Sequence, residues 1–280
     1  MQAQLTPSKV PSGAPASAIV KACTWNVDYY NRKGAGVEDR LQLLRDLDAD
    51  VVALQEVRGR YTRLYDLGPS VFSDEFFSGR NTSQWMISGL VFREGTIIDK
   101  GLIPLPDRPQ RAVWALAETP GFARPVTYIS WHSQHGVNVP AEYKMACFSA
   151  MSDWIAARPG PVVLGADINT WSDHVDLKST DASDPYGVEH AFVGLDPAHG
   201  LRDAFRETLQ RTGELSELRA SGHEGPLAIS HSETPTRRDR IMISRHFSPV
   251  ASGYETVRGF SLSDHAPHWA HLRIDASSER

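Results

Sequence analysis

The chain has 280 residues, of which 41% are hydrophobic and 22% are charged, and its mean hydropathy is −0.35. These values are typical of an ordinary globular protein with a sizeable core and exclude a chain too polar to fold. Because 29 Lys and Arg residues are outnumbered by 34 Asp and Glu residues, the net charge is −5. This charge excludes a general electrostatic attraction to nucleic acid or to anionic membranes.

The two cysteines, Cys23 and Cys147, provide no disulfide framework, and we expect both to be buried free thiols. No apolar stretch approaches the ~20 residues of a membrane helix, and the N-terminus lacks a charged-then-apolar signal pattern. We therefore expect a cytoplasmic protein, with secretion by another route left open. We also expect a monomer.

Residues 1–18 are rich in Pro, Ser, Ala and Gln and show no hydrophobic periodicity, which predicts a disordered N-terminal tail. A single domain is predicted over residues 19–275. The last residues, 276–280, are expected to form a short C-terminal tail.

The first half of the domain alternates strands with helical patterns. An apolar run begins at Ile19 and ends at Asn26, and residues 37–48 place leucines at helical spacing. A second strand is predicted over residues 51–54, followed by another helical pattern over residues 58–67. A helix therefore joins two strands.

From residue 71 to residue 128, short apolar runs separated by Gly and Pro predict an antiparallel meander. Residues 140–158 then predict a partly buried helix that begins with a proline. This helix leads directly into a buried strand over residues 162–166.

The last part of the chain mixes long loops with strands. We predict a surface excursion over residues 171–200, a helix over 201–209 and a loop-rich stretch over 213–236. Three closing strands are predicted: 240–243, 250–257 and 268–274. Mixed sheets covered outside by helices predict an α/β fold, a four-layer α/β sandwich with two packed mixed β-sheets.

Polar side chains follow several of the predicted strands. Asp167 and Asn169 are two residues apart, so both side chains leave the same side of an extended backbone. Asn26 and Glu56 end two other apolar runs, and Asp264 lies shortly before the last strand. Strand ends that all present polar residues predict one shared site.

These residue types fit metal-assisted phosphoryl chemistry. Mg²⁺ is usually held by one or two carboxylates, water and phosphate oxygens. Glu56 and Asp264 can supply the carboxylates, while Asn26 and Asn169 can act as neutral oxygen donors or phosphate contacts. The sequence shows no zinc-ligand spacing, Gly-rich phosphate loop or Gly-x-Ser-x-Gly motif.

Two histidines, His132 and His265, can move protons because an unperturbed histidine has a pKa near ~6.5. Asp239, directly before a predicted strand, can orient one of them. Taken singly, the residues permit simpler roles: Asn26 could cap a turn, and Asp167 with Asn169 could close an Asx turn.

Six motifs resemble those of the deoxyribonuclease I-like superfamily, also called endonuclease/exonuclease/phosphatase. They are TWNV with Asn26, LQEV with Glu56, SWHSQHG with His132, LGADIN with Asp167 and Asn169, RDRIMI with Asp239, and SDHAP with Asp264 and His265. Any one motif arises by chance, but six in the family's order across most of the domain are highly specific.

The resemblance implies a role for each motif residue. Glu56, helped by Asn26 and Asp264, would hold Mg²⁺, with Mn²⁺ as an alternative. Asp167 would orient or activate the attacking water, and Asn169 would contact phosphate.

The resemblance also implies roles for the histidines. The pair of His265 with Asp239 would act as a base or a phosphate clamp, and His132 would protonate the leaving oxygen or stabilise its charge. Abasic-site endonucleases of the superfamily typically carry Tyr at the position of His132. The histidine therefore favours the secreted-nuclease, cytolethal-toxin, sphingomyelinase and phosphoinositide-phosphatase branches.

Two further stretches, QEVR and GRNTSQ, resemble the pancreatic deoxyribonuclease pattern, which makes Arg58 and Arg111 candidate phosphate-backbone contacts. One position departs from this pattern, because an acid that partners the first histidine would fall near Met86. Phe76 and Trp85 belong either to the core or to an exposed aromatic hairpin suited to base stacking or lipid insertion.

The leading hypothesis is a Mg²⁺-dependent phosphodiesterase, a nuclease that acts on DNA or RNA. A phospholipid, phosphoinositide or nucleotide phosphoesterase on the same scaffold is the nearest alternative, since fold alone does not select a substrate. A binding module without turnover is disfavoured, because a site that only binds has no evident use for a paired proton carrier.

Overall fold

Two six-stranded β-sheets pack face to face in the computed structural model of the protein. The structure describes residues 19–28, 34–65, 67–83, 85–106, 108–120, 122–133, 141–169, 191–194, 196–221 and 237–274. The strands of this part of the chain are β1 (Ile19–Asn26), β2 (Val51–Arg58), β3 (Ser70–Phe72), β4 (Met86–Phe92), β5 (Thr96–Leu102), β6 (Ala112–Glu118), β7 (Val126–His132), β8 (Val162–Asp167), β9 (Arg202–Asp203), β10 (Asp239–Ile243), β11 (Phe247–Tyr254) and β12 (His268–Ile274).

Helices lie between these strands. The α-helices are α1 (Val37–Leu47), α2 (Ala141–Ala156), α3 (Ala204–Thr212), α4 (Glu214–Ser221) and α5 (Thr256–Leu262), and short 3-10 helices cover Gly59–Tyr65, Ser73–Phe76 and Pro109–Arg111. None of the helices in the described part of the chain has the length and apolar content that crossing a membrane requires.

Each sheet contains one parallel pair of strands at its centre. The first sheet has the order β11-β12-β1-β2-β4-β3, and the second has the order β5-β6-β7-β8-β10-β9. β1 runs parallel to β2 after the crossover through α1, and β7 runs parallel to β8 after the crossover through α2. The carboxyl ends of these four strands therefore lie at one end of the sandwich, which is where the predicted site residues occur.

Side chains alternate between the two faces of each sheet, so each sheet packs against the other sheet on one face and against helices on the other. Inward-facing residues such as Val51 and Val163 form the core between the sheets. The outer face of the first sheet packs against α1 through residues such as Leu44, and that of the second packs against α2 through Phe148. The predicted four-layer α/β sandwich of two mixed sheets is therefore confirmed.

Several predicted elements differ from the structure. The second strand continues to Arg58, and the helical pattern after it forms the 3-10 helix Gly59–Tyr65. The predicted meander is divided between the sheets, because β3 and β4 join the first sheet and β5 to β7 join the second. Part of the predicted loop over 213–236 forms α4, and the predicted strand over 250–257 ends early, so that α5 follows it.

Candidate active site

The strand register of the second sheet places three predicted site residues side by side. In the ladders, His132 on β7 and Asp239 on β10 are both direct partners of Asp167 on β8. Partners across a sheet point to the same face, and this face is the one that packs against the first sheet. All three side chains are almost completely buried.

The first sheet contributes Asn26 and Glu56. The Asn26 side chain donates a hydrogen bond across the sandwich to Oδ2 of Asp167 at 2.9 Å, and a second side-chain bond links it to Glu56. Glu56 lies in a β-bulge between Leu54 and Val57 and has a φ of 55°. A bulge inserts one extra residue and redirects side chains, so Glu56 leaves the outer face that Leu54 and Val57 share.

His132 lies between two carboxylates. Its Nε2 is 3.5 Å from Oε1 of Glu56 and 3.5 Å from Oδ2 of Asp167. His135, the second histidine of the SWHSQHG motif, falls outside the described residues. His132, at the end of β7, therefore links Glu56 of the first sheet to Asp167 of the second sheet at the predicted site.

His265 approaches Asp167 from the loop before β12. Its Nδ1 is 2.7 Å from Oδ2 of Asp239, and its Nε2 is 3.9 Å from Oδ2 of Asp167. The indole nitrogen of Trp25 donates to the backbone carbonyl of His265 at 3.0 Å. This loop also carries Asp264, which is buried and acts electrostatically on His265.

Asn169 turns back onto Asp167 just beyond β8. Its backbone N–H donates to Oδ1 of Asp167 at 3.0 Å, so the Asx turn considered from the sequence is present. Asn169 adopts a φ of 50°, and its side-chain amide donates to the carbonyl of Ser133 at 3.2 Å. The turn therefore holds the Asn169 amide within the site.

The charges of the site are strongly coupled. Burial alone would raise the pKa of Asp167, but the positive charges of His265 and His132, with the hydrogen bond from Asn26, lower it to about 2. Burial would lower the pKa of His265, but Asp239 and Asp167 raise it to about 10. At neutral pH the site thus holds an ionised Asp167 beside a protonated His265.

The donor set of the site fits a hard divalent cation. Burial raises the pKa of Glu56 above its ordinary value, although Asn26 and His265 act in the opposite direction. A bound cation would offset this cost of ionising a partly buried carboxylate. Among the described residues, one group of acidic and histidine side chains has metal-ligand geometry: it consists of Asp167, Asp239 and His265, whose candidate ligand atoms lie within 4.8 Å of one another.

The two predicted substrate arginines lie beside the site. Arg111 is only 7% exposed, and its guanidinium donates to the carbonyl of Ser133 at 3.1 Å and contacts Sδ of Met86 at 3.3 Å. Arg58 is the direct partner of Met86 in the ladder between β2 and β4. Met86 occupies the position at which the resemblance expects an acidic partner for His132, and it contacts Arg111 instead.

Sequence reasoning missed Lys144. Only 9% of this residue is exposed, and its ammonium donates to the backbone carbonyl of Asn169 at 2.8 Å. The signal was present, because Lys144 occupies the same helical face as the buried residues Cys147, Phe148 and Met151. A lysine on the apolar face of a helix needs a polar partner.

Comparisons with known proteins agree with this architecture. A model of the Endonuclease/Exonuclease/phosphatase family matches residues 23–265. An endonuclease/exonuclease/phosphatase from Bacteroides vulgatus has a similar structure, with a TM-score of 0.63 and 17% identity over 92% of this chain and 100% of that chain. No curated protein sequence matches the chain.

Two further similar structures are TDP2 proteins. D. rerio TDP2, complexed with a single strand DNA product, has a TM-score of 0.62 and 17% identity over 92% of this chain and 100% of that chain. Truncated Caenorhabditis elegans TDP2 has a TM-score of 0.58 and 16% identity over 91% of this chain and 98% of that chain. At these identities the structural similarity establishes the fold alone.

Proposed function

The chain belongs to the endonuclease/exonuclease/phosphatase family, and we propose that it is a Mg²⁺-dependent phosphodiesterase that hydrolyses nucleic acid by in-line attack of water. The observation that carries this proposal is the buried cluster around Asp167. Its Oδ2 lies 2.9, 3.5 and 3.9 Å from nitrogens of Asn26, His132 and His265. Carboxylates and imidazoles this close together suit metal-assisted hydrolysis of phosphodiester bonds, which is the chemistry that the family name describes.

Glu56, Asn26 and Asp264 are the residues that we expect to hold the metal ion. Their carboxylate and amide oxygens are ligands that Mg²⁺ prefers and that would also accept Mn²⁺. When bound, Mg²⁺ would polarise the phosphate and neutralise the charge that develops on it. The raised pKa of Glu56 supports this assignment, because a cation would stabilise the ionised form of this partly buried carboxylate.

Asp167 and His265 would act on the attacking water and on the phosphate, respectively. The low pKa of Asp167 keeps the carboxylate ionised, so it would accept a hydrogen bond from the attacking water, orient it toward phosphorus and take up its proton as the new bond to phosphorus forms. Asp239 keeps His265 protonated, which favours a phosphate clamp over a general base. The Asn169 amide would bind a further phosphate oxygen.

His132 would act on the leaving side. As the bond between phosphorus and the leaving oxygen breaks, this oxygen gains negative charge and needs a proton. The Nε2 of His132 lies between two carboxylates that would stabilise its protonated ring. We therefore assign His132 as the proton donor to the leaving oxygen.

Arg58 and the aromatic side chains near it support nucleic acid as the substrate class. Arg58 would contact a phosphate, and Arg111, which is 7% exposed, would contact only a phosphate that enters the site. Phe76 is exposed, whereas Trp85, whose ring centroid is 5.0 Å from that of Phe77, is partly buried against the core. Aromatic faces stack on bases and arginines bind phosphate. The single strand DNA product in D. rerio TDP2 makes single-stranded DNA the first substrate to test.

A substrate panel tests the proposal. The purified chain is offered single-stranded DNA, duplex DNA, RNA, sphingomyelin vesicles and phosphoinositide vesicles, each with Mg²⁺ and with a chelator. We expect Mg²⁺-dependent cleavage of nucleic acid, and we expect Asp167→Ala or His265→Ala to lower turnover at least ~10²-fold while the fold is retained.

Asp99→Ala serves as a matched control, because Asp99 is an exposed carboxylate on the edge strand β5. It should cleave at the wild-type rate. Undiminished cleavage by the Asp167 or His265 variant would overturn the residue assignments. Consumption of lipid with no cleavage of any nucleic acid would overturn the substrate class.

A further inference from the structure

A layer of polar side chains lies directly beneath the candidate site. Thr24, Ser130 and Gly165 each precede a site residue by two positions on β1, β7 and β8, so they occupy the same inward faces one step below it. Gln55 directly precedes the bulged Glu56 on β2. Below this layer the space between the sheets is filled by apolar side chains.

Gln55 connects the strands of this layer. Its side-chain nitrogen lies 3.1 Å from the hydroxyl of Thr24, 3.1 Å from the hydroxyl of Ser130 and 3.4 Å from the carbonyl of Gly165. The hydroxyl of Ser130 in turn donates to the carbonyl of Leu54 at 2.8 Å. One amide therefore joins two strands of the first sheet to two strands of the second.

These four strands are the ones that supply Asn26, Glu56, His132 and Asp167. Gln55 is completely buried, and burying an amide costs free energy that an apolar side chain of the same size would not cost. A polar network at this depth therefore needs a reason other than stability, and fully satisfied buried networks fix one arrangement of the groups around them.

We infer that Gln55 is a positioning residue that fixes the two sheets relative to each other and thereby directs the bulged Glu56 into the site. Glu56 has a φ of 55°, a conformation that persists only where its surroundings determine it. The backbone carbonyl of Gln55 also accepts a hydrogen bond from Val27 at 3.0 Å, which fixes the register just before the bulge. The inference rests on the proposed phosphodiesterase function.

Gln55→Met tests this role, because methionine has a similar length and removes only the amide. We expect kcat to fall at least ~10-fold with a much smaller change in KM. We also expect Mn²⁺ to bind about 10-fold more weakly, because residues that orient metal ligands have effects of this size. Mn²⁺ binding is measured by electron paramagnetic resonance without substrate, so this readout does not depend on turnover.

Leu54→Met is the matched control on the same strand. Leu54 is also completely buried, but its side chain faces the outer layer away from the site. This variant should retain wild-type kcat and Mn²⁺ affinity even where its melting temperature falls. Equal effects of the two substitutions on kcat and on Mn²⁺ affinity would overturn the inference.

A triple variant, Thr24→Val, Gln55→Met and Ser130→Ala, separates positioning from stability and covers the case in which the single variant fails to fold. An apolar replacement of the whole network should restore the melting temperature but leave kcat and Mn²⁺ affinity low. Recovery of activity together with stability would show that Gln55 is merely structural. Ser130→Ala alone, which removes a single hydroxyl, should give a smaller loss in the same direction.

The Mn²⁺ readout keeps this test distinct from that of the proposed function. If the wild-type chain cleaves no substrate but binds Mn²⁺ more tightly than Gln55→Met, the proposed function fails and the positioning role stands. If the wild-type chain cleaves nucleic acid and Gln55→Met does so equally well, the positioning role fails and the function stands.

Discussion

Lys144 shows how a side chain outside every motif can support the site. Asn169 has a φ of 50°, which is unfavourable for a residue other than glycine. The ammonium of Lys144 holds the carbonyl of this residue at 2.8 Å from a buried position on α2. The lysine therefore stabilises the turn that carries the Asn169 amide.

We expect Lys144→Met to lower kcat about 3-fold to 10-fold, because the Asn169 amide would lose part of its fixed direction. The free energy of unfolding should fall by roughly 1–3 kcal/mol, as is usual when a hydrogen bond to a charged group is lost. Steady-state kinetics and urea unfolding measure the two effects.

Glu142→Gln is a suitable control, because Glu142 lies on the exposed face of the same helix. This variant should match the wild-type chain in both measurements. A Lys144→Met variant with wild-type kcat would show that the Asn169 turn does not need the lysine.

The orientation of the Glu56 side chain toward the site does not follow from the alternation of side chains along β2. Alternation along β2 would place its side chain on the outer face with Leu54, away from Asn26 and Asp167. Only the bulge and the positive φ direct it into the site. The sequence predicts that Glu56 belongs to the site through its motif, but the local conformation that makes this possible depends on contacts with other strands.

The two sheets approach each other closely at Gly165 on β8. A Cβ added at this residue would lie 2.6 Å from the Cβ of Ala53 and 3.0 Å from the Cβ of Thr24, both on the opposite sheet. Real side-chain atoms do not tolerate such distances, and overpacking a core is destabilising. The absence of a side chain at Gly165 therefore allows the two sheets to approach this closely at this position.

We expect Gly165→Ala to lower the free energy of unfolding by about 1–3 kcal/mol. The double variant Gly165→Ala with Ala53→Gly should recover part of this loss, because it removes the closest clash. Thermal unfolding of both variants measures the effect. Gly160→Ala is the control, since nothing lies within 4 Å of the added atom there, and a loss as large as that of Gly165→Ala would refute the packing argument.

Long elements with strong periodicity were predicted well, and short ones were not. α1 and α2 agree with their predicted helices because their apolar residues repeat at helical spacing. α5 was not predicted, and the strand predicted over 250–257 includes its first two residues. The Glu255 side chain caps α5 by accepting from the backbone N–H of Arg258 at 3.2 Å. Short helices gain most of their stability from tertiary packing, which local patterns do not reveal.

Two similar halves meet at the site. β1-α1-β2 and β7-α2-β8 have the same parallel arrangement. Asn26 and Glu56 come from the first half, whereas His132 and Asp167 come from the second. Neither half alone contains the site, so its geometry depends on the packing of one sheet against the other.

His268 lies between the two sheets and links folding to pH. It begins β12 in the first sheet, and its Nδ1 accepts a hydrogen bond from the backbone N–H of Ile241 in the second sheet at 3.0 Å. Its Nε2 is 2.9 Å from the hydroxyl of Ser252, and its ring stacks on Tyr254 with centroids 4.4 Å apart. Burial lowers the pKa of His268 to about 3.

A folded-state pKa below the unfolded value of about 6.5 means that the unfolded chain takes up this proton first. The contribution of neutral His268 to the free energy of unfolding should therefore be complete above pH ~6.5. It should decline by up to about 1.4 kcal/mol per pH unit as the pH falls toward 3. His268→Asn, which keeps an acceptor near Ile241, should be less stable at pH 8 but decline less steeply. Urea unfolding from pH 8 to pH 4 compares the two slopes. Burial also lowers the pKa of His199 to about 4, so some decline should remain, and a slope in the variant equal to that of the wild-type chain would exclude His268 as the responsible group.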